Sequence, residues 1–120
     1  MIMRSILLVA LLSTVATAAD DPIKVSGSID RSTIDRVIMK RKRYIRACYE
    51  KELTVKPDLE GKVTVKFRIE PNGKTTHVTA SGVDDNLSAC IAAQFRKLVF
   101  PKAAEPAELT YPLLFKRSTN

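Results

Sequence analysis

"GKVTVKFRIEPNGK", residues 61–74, is the stretch on which the fold turns. Val63, Val65, Phe67 and Ile69 alternate strictly with Thr64, Lys66 and Arg68. A period of two puts the first set on one face and the second on the other, the pattern of a strand half-buried against a core. Pro71-Asn72-Gly73 is turn chemistry, with glycine free to take the positive φ that a tight reversal needs. From Lys74 to Ala80 the chain returns as a second strand, with Val78 and Ala80 inward. The segment reads as an antiparallel hairpin with one apolar face that other elements must cover.

The flanking segments supply that cover. Upstream, Ser32-Thr33-Ile34-Asp35 reads as a helix start, a hydroxyl cap followed three residues later by an acid. Ile34, Ile38, Ile45, Cys48 and Tyr49 then fall within one stripe at ~100° per residue. Arg36, Lys40, Arg43 and Ala47 lie opposite. Arg41 falls inside the apolar stripe, where its stem can pack while its head reaches water. Thr54 to Pro57 ends the helix.

Downstream, Gly82 to Asn86 forms a loop ending in capping acids. Leu87, Ile91, Phe95 and Leu98 mark a second amphipathic helix, with Cys90 on the flank of its stripe and Phe100-Pro101 stopping it. In "ELTYPLLFK", residues 108–116, Leu109, Tyr111, Leu113 and Phe115 alternate as a last strand. The element order is α-β-β-α-β, with a short extra strand in front as the alternative. It predicts an α+β sandwich of two layers, a three-stranded antiparallel sheet with two helices on one face. Residues 29–116 form this domain, 117–120 a tail, and 19–28 a linker with a short extended piece around Ile23–Val25.

Residues 1–18 read as an export signal. Arg4 gives the positive n-region, an apolar run extends from Ile6 to Ala16, and Ala16-Thr17-Ala18 offers a small-x-small cleavage site. The run is about half of the ~20 apolar residues that span a bilayer, so a membrane anchor fits less well. The mature chain is expected to be periplasmic, or secreted, and without a transmembrane anchor. Cleavage would leave 102 of the 120 residues, enough for one domain. It would also remove Arg4, taking the net charge from +7 to +6. Such a surface favours acidic partners, though an excess of this size is also ordinary solubility chemistry.

Export changes the meaning of Cys48 and Cys90, the two cysteines. In an oxidising compartment, two thiols in a small domain read first as a disulfide. Two separate structural thiols, or a catalytic Cys48 with its pKa lowered by neighbouring cations, are the alternatives. The catalytic reading is weakened by the mid-helix position and by the lack of a C-x-x-C arrangement. His77, the one histidine, is the only candidate base and alternates outward on its strand. A secreted thiol-dependent or hydrolytic enzyme is therefore the lesser expectation, and no catalytic residue is assigned. Two cysteines and one histidine without clustered spacing give no zinc tetrahedron without help from carboxylates, and neither a phosphate loop nor G-x-S-x-G is present. No cofactor is expected. The basic run "RVIMKRKRYIR" reads as a solvated helix face, with Arg36, Lys40 and Arg43 as a patch for an anionic envelope polymer in the alternative reading. Nucleic acid is not expected, because no aromatic platform interleaves with the charges.

Taken in order, several of these elements resemble one family. They are "YIRACYEKEL", Leu59-x-Gly61-x-Val63, Asn72-Gly73, the second cysteine, Phe100-Pro101 and Tyr111-Pro112-x-x-Phe115. Together they are similar to the C-terminal domain named for the gliding proteins AgmX and PglI, itself similar to the TonB C-terminal domain. The likeness runs from about Ile29 to Phe115. It implies a fold of two helices on a three-stranded sheet, a Cys48–Cys90 pairing, and protein binding without catalysis. It further implies that an extended segment of an envelope protein adds beside the last strand, at Thr110, Tyr111, Pro112 and Leu114. Envelope assembly, transport or gliding would be the process served.

Overall fold

The computed structural model describes residues 23–27 and 29–117. The export signal read over residues 1–18 lies outside them, as do the last three residues of the tail. Four strands and three helices follow in the order β1 (Lys24–Ser26), α1 (Arg31–Met39), α2 (Lys42–Leu53), β2 (Gly61–Ile69), β3 (Thr75–Gly82), α3 (Asp85–Phe95) and β4 (Ala107–Phe115). The strands form one antiparallel sheet in the order β1-β4-β2-β3.

The hairpin forms as its alternation predicts. Val63, Val65, Phe67 and Ile69 are buried, and Lys62 and Lys66 are exposed. At the turn, Gly73 has φ +92° and its N–H donates to the Glu70 carbonyl, while the Lys74 N–H donates to Asn72 Oδ1. A Cβ on Gly73 would sit 2.0 Å from the Phe100 carbonyl oxygen, so glycine is required for close approach as well as for φ.

Ala107, Leu109 and Phe115 of β4 face the same side as the buried β2 residues. The helices cover this side, and the other side of the sheet is left to solvent. Phe95 of α3 meets Phe67 edge-on at 5.4 Å and Tyr111 at 6.3 Å, while Tyr49 of α2 meets Phe115 at 5.0 Å. α2 and α3 thus each place an aromatic ring against the sheet, and Ile34 and Ile38 of α1 join the same buried core.

Four expectations need correction. The sheet has four strands, not three, because the chain around Val25 pairs with β4 through Lys24↔Thr110, Val25↔Leu109 and Ser26↔Glu108. The first helix is two, broken where Arg41 takes φ −103°, ψ 10° and its N–H donates to the Ile38 carbonyl. The physical reason is Arg41 itself. On an unbroken helix it would lie in the apolar stripe; here its Nη2 donates to Gln94 Oε1 of α3 at 2.7 Å and its guanidinium lies 4.4 Å from the Tyr44 ring centre. The head is bound to protein rather than left in water. Third, α1 starts at Arg31 after Asp30, whose backbone carbonyl accepts from Thr33 and Ile34, and no side chain caps it. Fourth, α3 ends at Phe95, short of the Phe100-Pro101 stop, although Leu98 and Phe100 remain buried beyond it.

Candidate functional site

Cys48 and Cys90 are joined, with their Cα atoms 5.7 Å apart, and the bond ties α2 to α3. The inward stripes of the two helices put both residues at this contact. Neither sulfur is a thiol, so no thiolate nucleophile is available at Cys48. His77 stands at a β-bulge, where two residues of β3 oppose Phe67, and adopts φ +53°. The bulge turns its ring outward to lie 3.1 Å from Thr76 Oγ1. Among the described residues no three His, Cys, Asp or Glu side chains are grouped to hold a metal ion.

The predicted edge strand is the more informative region. β2 pairs with β4 along its whole length, from Gly61↔Phe115 to Ile69↔Ala107. On the other side, β1 covers only Glu108 to Thr110. Thr110 is therefore not an open position: it lies between Lys66 of β2 and Lys24 of β1. Tyr111, Pro112 and Leu114 fall within the stretch that β1 leaves uncovered, residues 111–115. Pro112 stands opposite Thr64, and Leu114 opposite Lys62 with 62% of its surface exposed.

A groove of about 290 Å³ runs beside this uncovered stretch. Its floor is apolar, formed by Ile38 of α1, Ile45 and Tyr49 of α2, and Leu113 and Phe115 of β4. Met39 and Leu114, both more than half exposed, stand at its lips. Tyr111 closes one end, its hydroxyl donating to Asp35 Oδ1 at 2.9 Å. Burial, and then the hydrogen bond that the hydroxyl donates to the Asp35 carboxylate, push the Tyr111 hydroxyl up to about 12. At the other end, Tyr49 donates to the Leu59 carbonyl and anchors α2 to the entry of β2.

Lys42, Arg46 and Lys116 also line the groove. These are not the cations expected at the outset. Arg36, Lys40 and Arg43 are exposed on α1, at its C-cap and on α2, and none of them lines either of the two main concavities. The second concavity, about 570 Å³ and shallow, lies on the bare face of the sheet and mixes Lys24, Lys66, Arg68 and His77 with Glu108. Arg68 there is already paired with Glu70 and Glu108. The groove residues of α1 and α2 were missed from the sequence. Met39 was one signal for them, an apolar residue next to the buried Ile38 that nothing in the helix covers.

A separate network secures the start of α3. Asp84 caps it, Oδ2 accepting from the Leu87 N–H at 2.8 Å, and Lys56 donates to Oδ1 while lying near Glu52. The Lys56 hydrogen bond, followed by the capping bond, holds the Asp84 carboxyl below the usual carboxylate range. This network is away from the groove and is structural.

No protein-family model matches the chain, and no curated protein matches it. No helix among the described residues is long and apolar enough to cross a membrane. Among solved structures, the chain is similar to the solution structure of the Helicobacter pylori TonB C-terminal domain, residues 179–285. The two are 20% identical with a TM-score of 0.54, over 79% of this chain and 100% of the other. The fold is that of a TonB C-terminal domain.

Proposed function

We propose that this chain is a protein-interaction module of the cell envelope, and that it takes an extended segment of a partner along the uncovered part of β4. The observation that carries this reading is the coincidence of an unpaired sheet edge, residues 111–115, with an apolar groove alongside it. An open edge offers backbone groups to an incoming strand, and the groove offers a place for alternate side chains.

The register supports a definite set of backbone groups. Pro112 has no N–H, so it is tolerated opposite Thr64 only if its nitrogen points away from β2. Backbone groups alternate between the two sides of a strand, so Leu114 also points outward while Leu113 and Phe115 point to β2. The free edge then presents the Pro112 carbonyl and both the N–H and carbonyl of Leu114. That is room for a short strand with a gap at Pro112, which discourages indiscriminate pairing. The disulfide is consistent with export to an oxidising compartment.

A photo-crosslinking amino acid at position 114 provides the test, with positions 79 and 108 as controls on the same face of the sheet. Capture from envelope extract at position 114, mapped by mass spectrometry to an extended segment of one partner, is the expected result. Equal capture at all three positions would refute a docking site at the β4 edge.

A further inference from the structure

We infer that the segment received by the groove is acidic: an extended peptide that places an apolar side chain between α1, α2 and β4 and carries carboxylates to Lys42, Arg46 and Lys116. This rests on the strand-accepting reading of β4 and adds the chemistry of the occupant. Ile38 and Ile45 are almost fully buried at the groove floor, while Met39 and Leu114 leave apolar surface exposed at its lips. An occupant with one or two aliphatic side chains on its inner face would remove that surface from water.

Charge then selects among such occupants. The three charged residues lining the groove are all cations, and none of them is ion-paired among the described residues. Of the nearby carboxylates, Glu50, one turn beyond Arg46 on α2, does not line the groove, and two others have partners of their own. Asp35 accepts from Tyr111 and lies 3.8 Å from Arg31. Glu60 is held mainly by Arg117, with Lys116 adding to the field that lowers its pKa. Lys42 and Arg46 are one helical turn apart, so both point to the same wall and act together on an incoming charge. A second copy of this chain is a poor occupant. Pairing two β4 edges about a two-fold axis would bring the same three cations of each copy together, and like charges across an interface oppose association.

The test uses the disulfide-bonded protein and three capped seven-residue peptides. All share a Thr-Val-Thr-Val-Thr centre, so that in an extended peptide both valines and both end residues fall on one face, and they differ only at the two ends, which are glutamate, glutamine or lysine. Binding is followed by amide chemical shifts at 50 and 300 mM NaCl. The glutamate peptide is expected to bind roughly tenfold more tightly than the glutamine peptide at low salt, to lose most of that advantage at high salt, and to shift residues 111–115. The lysine peptide should bind most weakly. In K42Q/R46Q/K116Q, a surface variant that leaves the core untouched, the three peptides should become equivalent. Equal affinities for the wild type, with shifts still at β4, would overturn the acidic preference and leave the strand-accepting reading standing. Shifts confined to the bare face of the sheet, or a dimer with β4 at its interface, would overturn the inference. No binding by any of the three at millimolar concentration would overturn both readings.

Discussion

Breaking the Cys48–Cys90 bond should bring this domain close to unfolding. The bond closes a loop with a sequence separation of 42, and that loop contains the whole β2–β3 hairpin. In the chain-entropy treatment, a loop of that length confines the unfolded chain by about 4 kcal/mol at 25 °C. A domain of this size has roughly 5–10 kcal/mol in total, so reduction removes a large share of it. At about 4–8 °C per kcal/mol the melting temperature should fall by roughly 15–30 °C. Urea titrations of oxidised and reduced protein give the comparison with every side chain retained. The reduced form should also show a larger m-value, since its unfolded state exposes more surface. C48A/C90A should fall at least as far, because Cys48 is 2% exposed and truncation adds a packing loss. A shift below about 1 kcal/mol in both experiments would refute the view that this bond holds α2 and α3 together.

Three further outcomes are expected. Gly73→Ala should destabilise by about 2 kcal/mol or more, from the positive φ and the clash with the Phe100 carbonyl, read as a lower urea midpoint. Tyr111→Phe removes the hydrogen bond to Asp35 and should cost about 1 kcal/mol near neutrality. Because the folded Tyr111 hydroxyl is raised to about 12, its contribution is complete below pH ~10 and lost as pH climbs toward 12. Tyr111→Phe should therefore flatten the alkaline decline, leaving the parts due to Tyr49, whose hydroxyl is raised by burial, and to Lys56, raised mainly by its hydrogen bond to Asp84. At the acid end the sign reverses. Asp84, Glu60 and Glu70 are all held below their ordinary values, so their contributions are present above pH ~4 and lost as pH falls further. Asp84→Asn keeps a capping side chain but loses the charge toward Lys56, and should make the acid decline measurably shallower in thermal melts from pH 5 to pH 2.

How far these features were legible follows from the kind of interaction behind each. The hairpin was readable because a period of two and a Pro-Asn-Gly turn are local properties of the chain. Both helix stripes were readable for the same reason, and they carried the two cysteines to one contact. For β1 only a short extended piece around Ile23–Val25 was legible, since its three residues are all exposed and carry no alternation; pairing with β4 alone makes it a strand of the sheet. The break at Arg41 was hidden because Ile34, Ile38, Ile45 and Cys48 stay nearly in phase across it. Only the misplaced arginine marked it. His77 at positive φ has no sequence signature, because a bulge depends on the register of two strands. In the candidate site, β4 itself was legible from Leu109, Tyr111 and Phe115, but its open extent depends on where β1 stops. Which cations of "KRKRYIR" border the groove is likewise tertiary information. Arg36, Lys40 and Arg43 look equivalent to Lys42 and Arg46 until α2 is placed against β4.

The central claim is that β4 has an open edge at residues 111–115 that accepts a strand, and amide hydrogen exchange at Leu114 tests it most directly. In the free protein the Leu113 and Phe115 amides should exchange slowly, bonded to β2, and the Leu114 amide quickly. On saturation with a bound extended segment, Leu114 should become protected while Leu113 and Phe115 change little. A Leu114 amide already protected in the free protein, or one that stays fast in a saturated complex, would contradict the account.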